Sequence, residues 1–178
     1  MSTSEPVVQI GSCHHVALRC HDAQATIDFY TRILGMKFEI ATRETVYRGK
    51  PFNYLHIFLR MRDGNYLAFF ELPGYKEQVG DPNTPHWVQH FALRVDTVEE
   101  VEAAKAALLA SGVHVDGPVV RPPFSSIYFS DPSGNRMEIT AVGSMEGTRY
   151  AIDPQGANAV LQEWVKAKQG GALDNVAA

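Results

Sequence analysis

A chain of 178 residues with 45% apolar content can bury one sizeable core, and it falls within the size range of a single domain. Its 16 basic and 20 acidic residues are dispersed, the net charge is −4, and there is no Lys/Arg block to grip nucleic acid or an anionic membrane. Small-molecule partners are what remain. No apolar run approaches the roughly eighteen residues of a membrane span, and "MSTSEPVVQIG" lacks the basic and apolar regions of a secretory leader. The expectation is a cytoplasmic protein.

In chain order, a short strand is predicted over His15 to Cys20, with Cys13 and Cys20 near its two ends, too far apart to bridge and expected to be reduced. After Asp22 the pattern "AQATIDFYTRILG" places Ile27, Tyr30, Ile33 and Leu34 on one helical face, and Gly35 is positioned to end the helix. A strand over Met36 to Ala41 follows, then a hairpin, "YLHIFLRMRDGNYLAFFEL", turning at Asp63-Gly64. The Pro/Gly/Asp-rich stretch "PGYKEQVGDPNTPHW" reads as a surface connector.

The opening then repeats, because "HHVALRC" returns as "QHFALRV" with His90 at an offset of 75 from His15. After the strand His90 to Val95, Thr97 and Glu100 fit a capping box for a helix through Val101, Ala104 and Leu108 to Gly112. A strand over Val113 to Val115 and a hairpin, "SIYFSDPSGNRMEIT", complete the second copy. Both halves read β-α-β-β-β. The expected fold class is α+β: two tandem modules, about 12–73 and 87–142, forming one domain over 12–142 with helices on one face of a continuous curved sheet and a pocket on the other. Residues 143–178 form an extension with one helix, "ANAVLQEWVKAKQ", and a mobile tail.

Side chains two apart on a strand share a face. With Val16, Leu18 and Cys20 directed at the helix, His15, Ala17 and Arg19 face the pocket; the same parity turns His90, Ala92 and Arg94, and then Arg136, Glu138 and Thr140, inward. Two imidazoles and a carboxylate, His15, His90 and Glu138, suit a catalytic divalent metal, and such a set is the usual provision for non-haem Fe(II) oxygen chemistry. His14, His21, His56, His86 and His114 have no repeat counterpart, and structural roles are expected for them.

These segments, in this order, resemble the vicinal oxygen chelate superfamily, which includes glyoxalase I, methylmalonyl-CoA epimerase, fosfomycin- and bleomycin-resistance proteins and type I extradiol dioxygenases. The resemblance implies a paired-module half-barrel around one divalent metal, Fe(II) first with Mn(II), Zn(II) or Ni(II) as alternatives, in a homodimer. His15, His90 and Glu138 match three of the family's ligand positions. Glyoxalase I and the epimerase fill a fourth with Glu or Gln; in the repeat alignment Ala68 matches Glu138, and Glu71 comes three residues too late. The run from Ile127 and Tyr128 through Asp131, Pro132 and Gly134 to Glu138 matches the end of the extradiol signature, which implies that Tyr128 contacts a substrate oxygen.

Two departures accompany the match: Arg121 stands where that signature has a His, and Asn65 or Tyr66 stands where extradiol enzymes carry an acid-base His. The candidate catalytic residues are therefore Tyr128, Arg121 and Asn65, and the expected substrate is a small molecule, an aromatic diol or a carboxylate-bearing compound, with Arg19, Arg94 and Arg121 available to an anionic group. Ring cleavage of a small aromatic diol leads the readings. Behind it stand a glyoxalase- or epimerase-type lyase or isomerase using Glu71, and a metal-free binding protein with an aromatic pocket of Tyr66, Phe69, Phe70, Trp87, Phe124 and Tyr128.

Overall fold

The computed structural model describes residues 11–75 and 84–170. The N-terminal stretch read for a leader, most of the connector and the tail expected to be mobile lie outside them. The element order is β1 (His15–Cys20), α1 (Ala23–Arg32), β2 (Lys37–Tyr47), β3 (Lys50–Arg60), β4 (Tyr66–Glu71), β5 (Phe91–Val95), α2 (Val98–Ala110), β6 (Val115–Arg121), β7 (Phe124–Ser130), β8 (Arg136–Val142) and α3 (Pro154–Gln169). The two modules of the α+β fold are present in the expected order.

Local chemistry sets the helix bounds. The Asp22 carboxylate accepts from the Ala25 amide at 2.8 Å to start α1. Its buried residues Ala23, Thr26, Phe29 and Tyr30 follow helical spacing, and the chain leaves through Gly35 at φ +68°. Helix α2 carries the predicted capping box, with the Thr97 hydroxyl accepting from Glu100 N and the Glu100 carboxylate from Thr97 N, both at 3.2 Å.

Two strands are longer than the sequence suggests. Strand β2 runs on to Tyr47 and turns through Arg48 and Gly49, both at positive φ, into β3. All eleven of its residues are exposed, so no burial pattern marks its length. Strand β6 reaches Arg121, with a break in register between Asp116 and Val119 that accommodates Gly117 and Pro118 on an edge strand.

Among the described residues eight strands form two four-stranded sheets, ordered β1-β4-β3-β2 and β5-β8-β7-β6, with no ladder between them. The continuous sheet expected from the sequence is instead two sheets joined by a common core and by hairpin turns. That core lies on the helix-bearing layer, where Phe29 of α1 meets Phe129 of β7 at 6.1 Å between ring centroids. The β7–β8 turn reaches across: Tyr30 Oη donates to Asp131 Oδ2 at 3.0 Å, His21 N to Ser133 Oγ at 3.0 Å, and Asn135 Nδ2 to the Arg19 carbonyl at 3.2 Å. In the opposite sense, Arg62 from the β3–β4 turn meets Asp96 at 2.8 Å at the head of α2. Each module's hairpin thus meets the strand–helix junction of the other, as an approximate two-fold relation requires. Helix α3 starts at an Asp153 cap, whose carboxylate accepts from Gly156 N at 3.0 Å. It buries none of its residues, and its apolar side chains Leu161 and Trp164 are exposed.

The cysteines behave as separate thiols. Cys20 is 1% exposed and burial pushes its thiol up to about 11, whereas Cys13 is exposed. A thiol-reactive disulfide reagent at mildly alkaline pH is expected to label Cys13 rapidly and Cys20 only after denaturation. A Cys13→Ser protein that still labels rapidly when native would contradict this placement.

Candidate metal centre

Strand pairing tests the repeat alignment directly. In the first module Ala17 lies opposite Ala68, and in the second Ala92 lies opposite Glu138. The two hairpin turns close in the same way, with Met61 N bonded to the Asn65 carbonyl at 2.8 Å and Asp131 N to the Asn135 carbonyl at 3.0 Å. Ala68 therefore occupies the position equivalent to Glu138.

Glu71 is three residues further along and on the opposite face of β4. Its Oε2 accepts from the Ala23 amide at 2.7 Å, so the carboxylate compensates the N-terminus of α1 rather than entering the pocket face. A Glu71→Gln variant is expected to lose about 0.5–1 kcal/mol of stability, measured by chemical denaturation, with metal content unchanged. Loss of metal in that variant would restore Glu71 as a ligand.

In the second module, His90 Nε2 lies 2.9 Å from Glu138 Oε2, with the imidazole 30% exposed and the carboxylate side chain 10% exposed. Tyr128 stands opposite Glu138 on β7 and makes an edge contact with His90 at 5.8 Å between centroids. Burial first, and then the Glu138 charge, push its phenol above the ordinary tyrosine range, against the opposing effect of Arg121. The Arg136 guanidinium lies 5.1 Å above the Tyr128 ring. His90, Glu138, Tyr128 and Arg121 thus form one neighbourhood.

In the first module, His15 has different company. Its Nδ1 is 2.9 Å from His14 Nδ1, its ring lies against Phe58 at 5.6 Å, and it sits opposite Tyr66. Tyr66 Oη donates to Glu39 at 3.3 Å, and Glu39 also takes Arg60 at 2.8 Å. Asn65 is held in the turn, its amide donating to Asp63 at 2.9 Å, so Tyr66 is the residue beside His15.

His56, for which sequence offered no counterpart, stacks on Phe70 at 3.7 Å and 12°, and its buried Nε2 has no hydrogen-bond partner. Burial, with the charge of His15 adding to it, holds its imidazole below the usual histidine range. Only the alternation of Phe52, Tyr54, His56 and Phe58 along β3 could have shown this aromatic wall. Of the aromatic set expected to line a pocket, Phe69 points the other way, buried against Tyr30 in the helix-side core. A cavity of about 410 Å³ lined by Arg43, Asn53, Tyr54, Leu55 and Pro73 contains none of the candidate ligands.

The donor chemistry fits a divalent cation at His90 and Glu138, an imidazole and a carboxylate already in contact. Among the described residues no three His, Cys, Asp or Glu side chains are grouped closely enough to hold a metal ion.

Comparison with known proteins places this geometry in context. A protein of Bacillus subtilis (strain 168) that carries the name "Putative ring-cleaving dioxygenase MhqA" is 28% identical over 148 residues, covering 82% of this chain and 44% of that protein. The chain therefore spans under half the length of this relative. A glyoxylase/bleomycin resistance protein/dioxygenase domain from Frankia sp. EAN1pec superposes with a TM-score of 0.65 at 17% identity, covering 76% of this chain and 100% of the other. The fosfomycin resistance protein FosX of Listeria monocytogenes, solved with Mn(II) and sulfate, gives a TM-score of 0.55 at 22% identity over 78% of this chain and 97% of the other. No helix of the described residues is long and apolar enough to cross a membrane. The family model described as Glyoxalase/Bleomycin resistance protein/Dioxygenase superfamily matches residues 12–139, most of the chain, and the protein belongs to that superfamily.

Proposed function

We propose that this chain is a metal-dependent ring-cleaving dioxygenase for a small aromatic diol, with His15, His90 and Glu138 as metal ligands. The observation that carries the reading is the contact of His90 with Glu138 beside Tyr128, while Ala68 stands where a fourth, carboxylate ligand would be. The likeness to MhqA supports it. A divalent ion, Fe(II) first and Mn(II), Zn(II) or Ni(II) as alternatives, would supply the Lewis acidity and redox capacity that ring cleavage by dioxygen needs. Two free cysteines favour a reducing compartment, and we place the protein in the cytoplasm.

The chain's own residues have separable tasks. Tyr128 keeps its proton at neutral pH and offers it as a hydrogen bond to a substrate oxygen next to Glu138. Arg136 over its ring fixes the phenol's direction, and Arg121, the cation whose charge reaches Tyr128, is available to a substrate carboxylate or phenolate. His90 holds Glu138 with its carboxylate turned toward the imidazole. The aromatic side chains of β3 and β4, Phe58 and Phe70 with His56 between them, provide an aromatic surface for a ring.

Metal analysis of anaerobically purified protein, followed by oxygen uptake with a panel of catechols, tests the reading. Bound metal with dioxygen consumption is expected. Bound metal without oxygen uptake points to an isomerase or lyase, and protein that takes up no metal leaves only a small-molecule binding module.

A further inference from the structure

Resting on the metal-dependent reading above, we infer that Arg136 selects the substrate: it receives a carboxylate carried on the ring, so the diol taken by this site is an aromatic acid rather than an unsubstituted catechol.

The charges on one face of the second sheet carry this. Strand register puts Asp116 and Arg121 of β6, Tyr128 of β7, and Arg136 and Glu138 of β8 on the face that also bears Arg94 of β5. Both carboxylates there are already taken by imidazoles, Glu138 by His90 at 2.9 Å and Asp116 by His114 at 3.0 Å. None of the three guanidinium groups forms an ion pair among the described residues. This face therefore holds positive charge without a counter-ion, in a chain whose net charge is −4. A ligand that brings a negative group besides its metal-binding oxygens supplies one.

Arg136 differs from the other two. Arg94 and Arg121 are exposed, and water solvates them. Arg136 is half-buried, its guanidinium 5.1 Å above the Tyr128 ring and its Nε enclosed with no hydrogen-bond partner. A cation partly withdrawn from water gains more from an anion than a solvated surface arginine does. Its terminal nitrogens are not enclosed in this way, and their parallel N–H donors match the two oxygens of a carboxylate. Contact with Tyr128 already positions the group, so little order is lost on binding.

Spacing sets where the acid sits on the substrate. Arg136 precedes Glu138 by two residues on β8, and same-face neighbours on a strand are about 7 Å apart. A ring with its hydroxyl oxygens at Glu138 and Tyr128 thus presents its far edge, not its diol, to Arg136. An unsubstituted catechol would fill the same place and leave the cation unpaired.

Two probes of like shape separate charge from fit: protocatechuate, a catechol bearing one ring carboxylate, and protocatechuamide, its neutral amide. Both are titrated calorimetrically in the absence of oxygen into wild type, Arg136→Gln, Arg136→Lys and Arg121→Gln, with Mn(II) and again without added metal, and circular dichroism verifies each fold. The readout is the ratio of the two affinities, because loss of Arg136 also loosens Tyr128 and shifts both probes together. Wild type is expected to favour the acid by about tenfold to a hundredfold, the range of a charge-assisted contact. The ratio falls to about one in Arg136→Gln, recovers in part in Arg136→Lys, which has the charge without the fork, and changes less than about threefold in Arg121→Gln.

A wild-type ratio near one, no binding of either probe, or a preference that survives Arg136→Gln overturns the inference. Mn(II) uptake without preference for the acid does so while leaving the metal-dependent reading intact. A preference shown by protein that takes up no metal, and abolished by Arg136→Gln, has the reverse meaning: the metal-dependent reading falls and acid recognition by Arg136 remains.

Discussion

Replacing Asp131 by alanine is expected to lower folding stability by about 4 kcal/mol, although Asp131 contributes nothing to the face that carries the candidate ligands. The carboxylate is 5% exposed and fully used. Its Oδ1 accepts from the amides of Ser133 and Asn135, both at 2.9 Å, and its Oδ2 from Asn135 Nδ2 at 2.8 Å and Tyr30 Oη at 3.0 Å. Hydrogen bonds to an ionised acceptor contribute about 1.5–3 kcal/mol each but do not add, because removal of the carboxylate also relieves its own desolvation. Alanine leaves the phenol of Tyr30, 0% exposed and with its ionisation strongly suppressed by burial, with no partner across the module boundary.

Tyr30→Phe removes only the bond between modules and should cost about 1.5 kcal/mol. Urea denaturation of the single and double variants closes a cycle in which the coupling between the two residues is read directly. If Asp131→Ala unfolds within about 1 kcal/mol of wild type, the turn is a local decoration and the modules are held by their apolar core alone.

For Glu138→Gln the expected result has the opposite form: metal affinity falls by about a hundredfold or more, the proposed ring-cleaving activity is lost with it, and stability moves by less than about 1 kcal/mol. Glutamine preserves volume and keeps a carbonyl oxygen for His90, and it removes a charge whose burial is costly. What it cannot supply is the negative donor a divalent ion requires. Calorimetric titration with Mn(II), run beside thermal melts, separates the two quantities. A variant with unchanged stability and wild-type Mn(II) affinity would take Glu138 out of the ligand set.

The repeat made much of this legible from residues alone. "HHVALRC" and "QHFALRV" located equivalent strands, the period of two assigned their faces, and the count from Gly64 and Gly134 paired Ala68 with Glu138, as the strand register does. Asp22, Gly35 and the Thr97–Glu100 pair marked helix ends because capping depends on two or three adjacent residues. Strand β2 was underestimated because a strand exposed on both faces leaves no alternation to read. Asn65 and Tyr66 could not be separated without knowing that Asp63 captures the Asn65 amide within the turn. Periodicity also identifies which face of each sheet is polar without saying which faces oppose one another in space. The contact of His90 with Glu138, and the separate contacts of His15 with His14 and Phe58, are therefore visible only in the fold.

Ala68 has a consequence in charge balance. With a methyl group opposite Ala17, the two modules bring one carboxylate between them, Glu138, to the proposed ligand positions. Two neutral imidazoles and one carboxylate around a divalent ion leave a single positive charge uncompensated. A glutamate at 68 would cancel it and leave an incoming anion nothing to neutralise, whereas under the proposed ligand set the methyl would leave that charge for a ligand that arrives as a monoanion, such as a diol that has given up one proton.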